Sequence, residues 1–527
     1  MASRLIPASI FNEVIGPVMR GCSSSHVAAA LRIGLLARDF LNGQPERAIV
    51  RFDKSEALSL SYDGQGSAMG FVGGLLGDSP DSELLPFAKK RAVELGIHVE
   101  FKVEDVSTSH PNTYLLELYE EGRDQQYQTM EAVSLGGGAI EIRTINGASV
   151  SLFGDTYTTI FTSAKSDLVL FEADSLPSNI LQVIPTETAT HCIYVVTSVS
   201  PLTAETITQL STAFETITIR KMSPVMPVLA FDSPVPFRTA KEMLSSTSDP
   251  HITLSDLACD YEAARSWKSR SELFSLMTEL AQTMLQSIEI GRKGTTYSDR
   301  ILTAQSPLLL QAGSSPLLGS CLHNVTTNVT AIMDCKSAME VIVAAPTAGA
   351  CGVLGGTVWA VAEEFGKNEQ EVAEALLAAG IVGVFIAETA TFAGEEGGCQ
   401  VECGSASAMT AAAIVNLLGG SAQQAVDAAS MALQNMLGIV CDTICDRVEV
   451  PCLGRNILGA VNAVSCAAII QAGFTNSIPL DETIEALQQI SQQMPLELRC
   501  TGLGGLAQSP TAQNLLQTYG SNSGKNS

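Results

Sequence analysis

Thirteen cysteines stand in this chain of 527 residues, and those placed for chemistry concentrate between Gly397 and Asn456. That stretch opens Gly398-Cys399-Gln400-Val401-Glu402-Cys403-Gly404-Ser405 and passes through Asn435-Met436-Leu437-Gly438-Ile439-Val440-Cys441-Asp442. It closes Val450-Pro451-Cys452-Leu453-Gly454-Arg455-Asn456. Thiols, carboxyl and amide groups and an arginine among small uncharged residues suit a buried cofactor better than a wet surface. Cys399, Cys441 and Cys452 each fall at a helix edge or in a loop carrying Gly or Pro. No Cys-x-x-Cys pair occurs, which disfavours a zinc ribbon or finger. Cys441 and Cys445, four apart, would share one face of a helix, but Asp442 and Thr443 weaken the helix there. Spacing alone leaves two readings open: a metal or iron–sulfur site, and cysteines that are simply small buried side chains.

Three more stretches carry reactive groups. Gly16-Pro17-Val18-Met19-Arg20-Gly21-Cys22-Ser23-Ser24-Ser25-His26 ends at a helical pattern over Val27–Phe40. Its hydroxyls and free N–H groups at a positive helix end suit a carboxylate, with His26 as donor or titratable group. An ordinary helix cap accounts for the same residues. His110-Pro111-Asn112-Thr113 follows a strand-like run, Val99–Val103, and holds an imidazole in a turn where it can act as a base or simply as a bonded structural residue. Ala345-Pro346-Thr347-Ala348-Gly349-Ala350-Cys351-Gly352 lets a ligand, or another helix, approach the backbone closely.

The elements that must position these groups divide the chain. Its length predicts two to four domains. Residues 1–150 mix helical runs with strands such as Ala48–Phe52, an α/β or α+β unit. Residues 151–225 carry strand-like runs, Tyr157–Thr162, Leu168–Glu172 and Cys192–Val199, with helix-like Pro177–Ile184 and Ala204–Thr216, the alternation of a small ferredoxin-like module. Prolines and serines mark 226–254 as a linker. From 255 to 518 strand signals fade, and Arg270–Ile290, Glu371–Ile386, Ala406–Leu418 and Gln423–Met436 predict an all-α domain, ahead of a frayed tail, Tyr519–Ser527. The expected fold class is therefore multidomain, an N-terminal α/β domain followed by a helical one.

Composition narrows the function. Hydrophobic residues make up 46% and charged ones 16%, a well-packed globular protein. A net charge of −25 argues against binding nucleic acid and against docking on anionic membranes. Cysteines spread thinly through a long chain favour reduced thiols. Met1–Ser9 lacks the pattern of a signal peptide, and the apolar stretches Val341–Ala362 and Ala375–Ala390 are expected to be buried helices. A cytoplasmic location is expected.

Taken together, these stretches resemble the iron–sulfur-dependent L-serine ammonia-lyases, the L-serine dehydratases, with β and α parts fused in that order. The similarity rests on Ser9-Ile10-Phe11 with Ser23–His26, His110–Asn112 and Ser134-Leu135-Gly136-Gly137-Gly138. In the second half it rests on Ala345–Gly352, Glu396–Met409, Asn435–Asp442, Val450–Asn456 and Thr501-Gly502-Leu503-Gly504-Gly505-Leu506-Ala507. It implies a [4Fe–4S] cluster held by Cys399, Cys441 and Cys452, with one iron open to a small amino-acid substrate. Cys403 and Cys445 then stand as bystanders, and Cys500 neighbours the Thr501–Ala507 motif. The same resemblance implies His110 as the base. Ser23, Ser24, Ser25, His26 and Asn112 would hold the substrate, and Arg455 would pair with a carboxylate. It further implies an N-terminal domain like the allosteric substrate-binding domain of some phosphoglycerate dehydrogenases, and an ACT-like or spacer module over 151–225. A homo-oligomer is also expected.

Two departures from the family pattern bear on chemistry. Gly66-Ser67-Ala68-Met69-Gly70 stands where Gly-His-x-Thr-Asp is usual, so a histidine is missing at Ser67, and Cys22 stands where proline commonly precedes the serines. The competing expectations are a lyase for another β-substituted amino acid, either an L-cysteine desulfidase or a dehydratase of a larger 3-hydroxy amino acid, and a non-catalytic amino-acid-binding regulator.

Overall fold

The computed structural model describes residues 7–519 apart from 121, 123–126, 164–175, 189–190, 227–234, 250–251, 267, 299 and 446. The expected strand Leu168–Glu172 and nearly all of the tail lie outside the described residues. The N-terminal segment forms a short strand, β1 (Val18–Arg20), then one π-helical turn over Ser24–Ala28 that runs into α1 (Ala29–Phe40). Next come β2 (Arg47–Asp53), α2 (Ser67–Leu76), β3 (His98–Glu104), β4 (Thr113–Tyr119), β5 (Tyr127–Gly136), β6 (Ala139–Ile145) and β7 (Ala148–Leu152). Strands β2 to β7 make one six-stranded sheet in the order β3-β2-β4-β5-β6-β7, in which only the β2–β3 pair is parallel.

Helices α1 and α2 cover this sheet and cross each other with backbones in contact. A Cβ built on Gly74 would stand 2.1 Å from the Leu31 carbonyl oxygen, and one on Gly34 would stand 2.3 Å from that of Phe71. Only glycine allows this approach, and it fixes where the π-turn points. Gly74→Ala should therefore force the helices apart and cost roughly 1–3 kcal/mol. A fall in the urea midpoint of the N-terminal unit would show it, and an unchanged midpoint would mean that the helices slide freely.

A second sheet follows. It consists of β8 (Tyr157–Ser163), β9 (Ile180–Glu187), β10 (Cys192–Ser198) and, after α3 (Ala204–Ala213), β11 (Thr216–Met222), in the antiparallel order β11-β8-β10-β9. The helix expected at Pro177–Ile184 is not formed. Ile180, Val183 and Ile184 are β-branched and pair along β10, and Pro185 is tolerated because β9 is an edge strand. Ile160, Ile193, Val195 and Met222 of this sheet join the core under α1, so the two sheets share apolar packing.

The expected linker is only partly one. Ala240–Ser245 is a short helix, and the Ala240 and Lys241 N–H groups both donate to the Asp481 carboxylate. The helical half then runs α4 (Leu254–Ser266), α5 (Arg270–Lys293) and α6 (Gly319–Ser337). After β12 (Val341–Val343) come α7 (Cys351–Glu364), α8 (Glu369–Thr389), α9 (Cys403–Leu417), α10 (Ala422–Gln434), α11 (Val450–Gln471) and α12 (Leu480–Gln493). The run Val341–Ala362 is thus a strand, a loop and a helix, not one helix, because Pro346 and Gly349 interrupt it. Two described helices, α8 and α11, are long and apolar enough to cross a membrane, and α8 is mostly buried inside the protein.

The two halves meet in three ways. β1 pairs antiparallel with β12 (Val18 opposite Val343), giving a two-stranded sheet across the boundary. A shared apolar cluster joins Met19, Val27, Leu31 and Val72 to Ile332, Cys351, Val448 and Cys452. Finally, the segment before β1 is held by α4: Ser9 Oγ and the Ile10 N–H donate to Glu262, and Tyr261 donates to the Ala8 carbonyl. These contacts bring the serine run beside the cysteine-bearing loops.

Candidate active site

The serine run does not cap α1. None of its side chains bonds the helix start, and the backbone instead makes the wider π-turn, which turns the hydroxyls inward. Ser23, Ser24, Ser25 and His26 are all buried. Ser24 Oγ accepts from the Ala348 N–H at 3.1 Å, tying the turn to the Ala345–Gly352 loop. Ser25 Oγ donates to Glu395 Oε1 at 3.1 Å.

Hydrogen-bond direction settles the tautomer of His26. Ser61 donates its own proton to the Ala57 carbonyl, so it can only accept from His26 Nε2, at 2.9 Å. Nδ1 then carries the lone pair, 3.0 Å from Ser23 Oγ and 3.4 Å from Glu395 Oε1. Burial holds the imidazole below its usual pKa, and Glu395 opposes that shift.

His110 and Asn112 approach from the β3–β4 loop. The Asn112 N–H donates to His110 Nδ1 at 3.1 Å, and His110 Nε2 lies 3.0 Å from Glu396 Oε1. Both ring nitrogens of His110, the expected base, thus lie within hydrogen-bond distance of a partner among the described residues. Asn112 Nδ2 donates to Glu395 Oε2 at 3.2 Å, while its buried Oδ1 has no partner among the described residues. Ser67, at the position of the missing histidine, is buried and accepts from the Tyr114 hydroxyl at 2.9 Å.

The thiols lie on the other side of Glu395 and Glu402. Cys399 sits in a tight turn ahead of α9, Cys441 in the loop after α10, and Cys452 in the first turn of α11; all three are buried. The shared hydrogen bond from Cys403 pushes the Cys399 thiol down to about 7, with help from Arg455, and pushes Cys403 up. Cys441 is raised by its contact with Cys500, Sγ to Sγ 2.6 Å, and by burial. Burial, then the neighbouring thiols, raise Cys452. Cys441 and Cys445 do not share a helix face, because the segment is an open loop in which Cys445 has a φ of 56°.

Glu402 accepts from Thr347 Oγ1 at 2.8 Å, and burial, with Cys399 and Glu395 nearby, pushes its carboxyl up to about 8. Arg455 donates to Asp442, and Asp442 also accepts the Leu506 N–H at 2.8 Å, which fastens the Thr501–Ala507 motif to the ligand loop. Arg455 Nη1 is buried without a partner among the described residues. Asn456 donates to the Gly349 and Cys452 carbonyls, each at 2.8 Å, and accepts the Gly352 N–H, so one amide locks the Ala345–Gly352 loop to α11.

Sequence reasoning missed Glu395 and Glu402. Glu395 stands beside Glu396, a pair that usually marks a solvated turn, and the available signal was its place between Gly394 and Gly397; Glu402 stood in the thiol stretch with no role assigned to it. Among the described residues no three His, Cys, Asp or Glu side chains converge on a single ion. A [4Fe–4S] cluster takes one thiolate per iron, so its thiols need not converge on a single ion.

Fold and site together define a multidomain protein with mixed sheets in its first half and a helical domain that buries a group of thiols. Residues 249–507 match the serine dehydratase alpha chain family model. Over 282 residues the chain is 39% identical to the probable L-serine dehydratase alpha chain of Bacillus subtilis, covering 53% of this chain and 94% of that relative. It is 34% identical over 287 residues to the L-serine dehydratase alpha chain of Peptoniphilus asaccharolyticus, covering 53% and 97%. It is 32% identical over 287 residues to L-serine dehydratase TdcG of Escherichia coli, covering 52% and 62%. The chain belongs to the serine dehydratase alpha chain family, through its helical half.

Proposed function

We propose that the chain is an iron–sulfur-dependent L-serine ammonia-lyase. The reaction removes the α-proton and the 3-hydroxyl of L-serine as water, leaving aminoacrylate, which tautomerises to an imine and hydrolyses to pyruvate and ammonia. The observation that carries the reading is the meeting of a buried Ser/His/Asn/Glu cluster with three buried thiols from separate segments. Cys399, Cys441 and Cys452 would hold a [4Fe–4S] cluster, and a bound cluster supplies a Lewis-acidic iron that makes the 3-hydroxyl a better leaving group.

The chain's own residues account for the rest. Asn112 Oδ1, buried and unpartnered, suits the α-ammonium of the substrate, and Arg455 Nη1, equally unpartnered, suits its carboxylate. Ser23, Ser24 and Ser25 with His26 line the approach, and the Asn456 bridge keeps the Ala345–Gly352 loop closed over it. Glu402, held by Thr347, supports the loop beside the thiols. We also assign the six-stranded unit as the β-type domain, like the allosteric substrate-binding domain, and the β11-β8-β10-β9 sheet as an ACT-like module.

The test is pyruvate release by anaerobically reconstituted protein supplied with L-serine, L-cysteine and L-threonine in turn. A kcat/KM for L-serine at least tenfold above the others is expected. Equal or better turnover of either competitor sinks the serine assignment, and colourless, iron-free protein after reconstitution favours a binding module.

A further inference from the structure

Resting on that reading, we infer that Glu395 is the catalytic base that takes the α-proton of the substrate. The position where a histidine is usual holds Ser67, a hydroxyl already bonded to Tyr114. His110 Nδ1 already accepts the Asn112 N–H, and its Nε2 lies 3.0 Å from Glu396 Oε1. In His26, Nε2 donates to Ser61 and Nδ1 faces the Ser23 hydroxyl. Glu396 is partly exposed and bonded to His110. Glu402 is engaged by Thr347 at 2.8 Å.

Glu395 differs from all of these. It is 2% exposed, and each oxygen accepts one hydrogen bond, Oε1 from Ser25 and Oε2 from Asn112. A carboxylate oxygen has two acceptor sites, so each retains a free one. Its position joins the two parts of the site. The donors that hold it belong to the proposed substrate-binding residues, and its charge is felt by the Glu402 carboxyl on the thiol side. His26 Nδ1, 3.4 Å from Oε1, is placed to share a proton once Glu395 has taken one.

The step balances within the site. The Cα–H electron pair becomes the carbon–carbon π bond, and the C–O pair leaves with the 3-hydroxyl oxygen. The proton goes to Glu395 and is returned to that oxygen as water, which regenerates the carboxylate.

The test uses reconstituted holoenzyme of wild type, Glu395→Gln and Glu395→Asp, with L-serine and L-serine deuterated at Cα. Glu395→Gln keeps the shape; its oxygen can still accept from Asn112, while its amide N–H can donate to Ser25 Oγ once that hydroxyl turns. It should retain the iron and sulfide content of wild type and bind L-serine within about threefold by calorimetry, while kcat falls about 10²–10⁴-fold. Glu395→Asp should keep partial activity with a larger deuterium effect on kcat than wild type. Glu395→Gln with kcat within threefold of wild type overturns the proposal. So does loss of iron or of serine binding in both variants, which would make Glu395 structural. If wild type turns over a different β-substituted amino acid, the substrate reading fails alone, and the same comparison on that substrate still tests Glu395.

Discussion

Cys441→Ser should give a folded protein that holds less than about a tenth of the wild-type iron and sulfide after anaerobic reconstitution and releases no measurable pyruvate. The expectation separates ligation from folding. Cys441 is held in place by its backbone: its N–H donates to the Leu498 carbonyl at 2.9 Å, and its own carbonyl accepts from the Cys500 N–H at 2.8 Å. Serine keeps both bonds and nearly the same volume, so the thermal midpoint of the apoprotein should barely move. What changes is the donor, because a hydroxyl is far harder to ionise than a thiol and binds iron poorly. Cys399→Ser and Cys452→Ser should behave alike. Cys403→Ser and Cys445→Ser serve as the contrast and should keep most of their iron. Iron retained in Cys452→Ser but lost in Cys403→Ser would move the third ligand to Cys403.

Glu262→Ala should produce the largest loss of stability, about 3–5 kcal/mol. The carboxylate is 1% exposed and accepts from Ser9 Oγ at 2.8 Å and from the Ile10 N–H at 2.9 Å. It also lies 3.7 Å from Arg265 Nη1, whose side chain is 5% exposed. Removing it leaves a buried guanidinium without its counter-charge and two buried donors without acceptors. Urea unfolding followed in the helical half should show the shift, and limited proteolysis should cut near Ser9 much faster than in wild type. The double variant Glu262→Leu with Arg265→Met should recover part of the loss, because no charge is then stranded. A midpoint unchanged in Glu262→Ala would mean that the N-terminal segment is held by apolar contacts alone.

The cysteine stretch drew attention by residue type, although spacing alone left a metal site and plain buried side chains both open. The helices from Arg270 onward were legible for a different reason: long Ala/Leu-rich runs punctuated by Gly and Pro admit few alternatives. What resisted reading was set by tertiary contact. β12 is three residues long and exists because β1 lies opposite, so its apolar sequence passes for helix. Ile180–Glu187 is a strand because β10 offers a partner. The buried state of Glu395 depends on donors more than 280 residues away in sequence, which no local pattern can announce. His110 was found by type and place, but its contact with Glu396, 286 residues away, was beyond any local pattern.

The pairing of β1 with β12 also dictates an order of events as the protein is made. Ser24 and Ala348, which bond across that junction, are 324 residues apart. At ordinary translation speeds the serine turn leaves the ribosome on the order of tens of seconds before its partner loop. During that interval the first half can close its own sheet, but the edge of β1 stays unpaired and the apolar side chains of Met19 and Val27 stay uncovered. The newborn chain therefore passes through a stage in which its N-terminal arm is open to mispairing or to chaperone capture. The buried thiols of Cys399, Cys441 and Cys452 come together only after α11 has been synthesised.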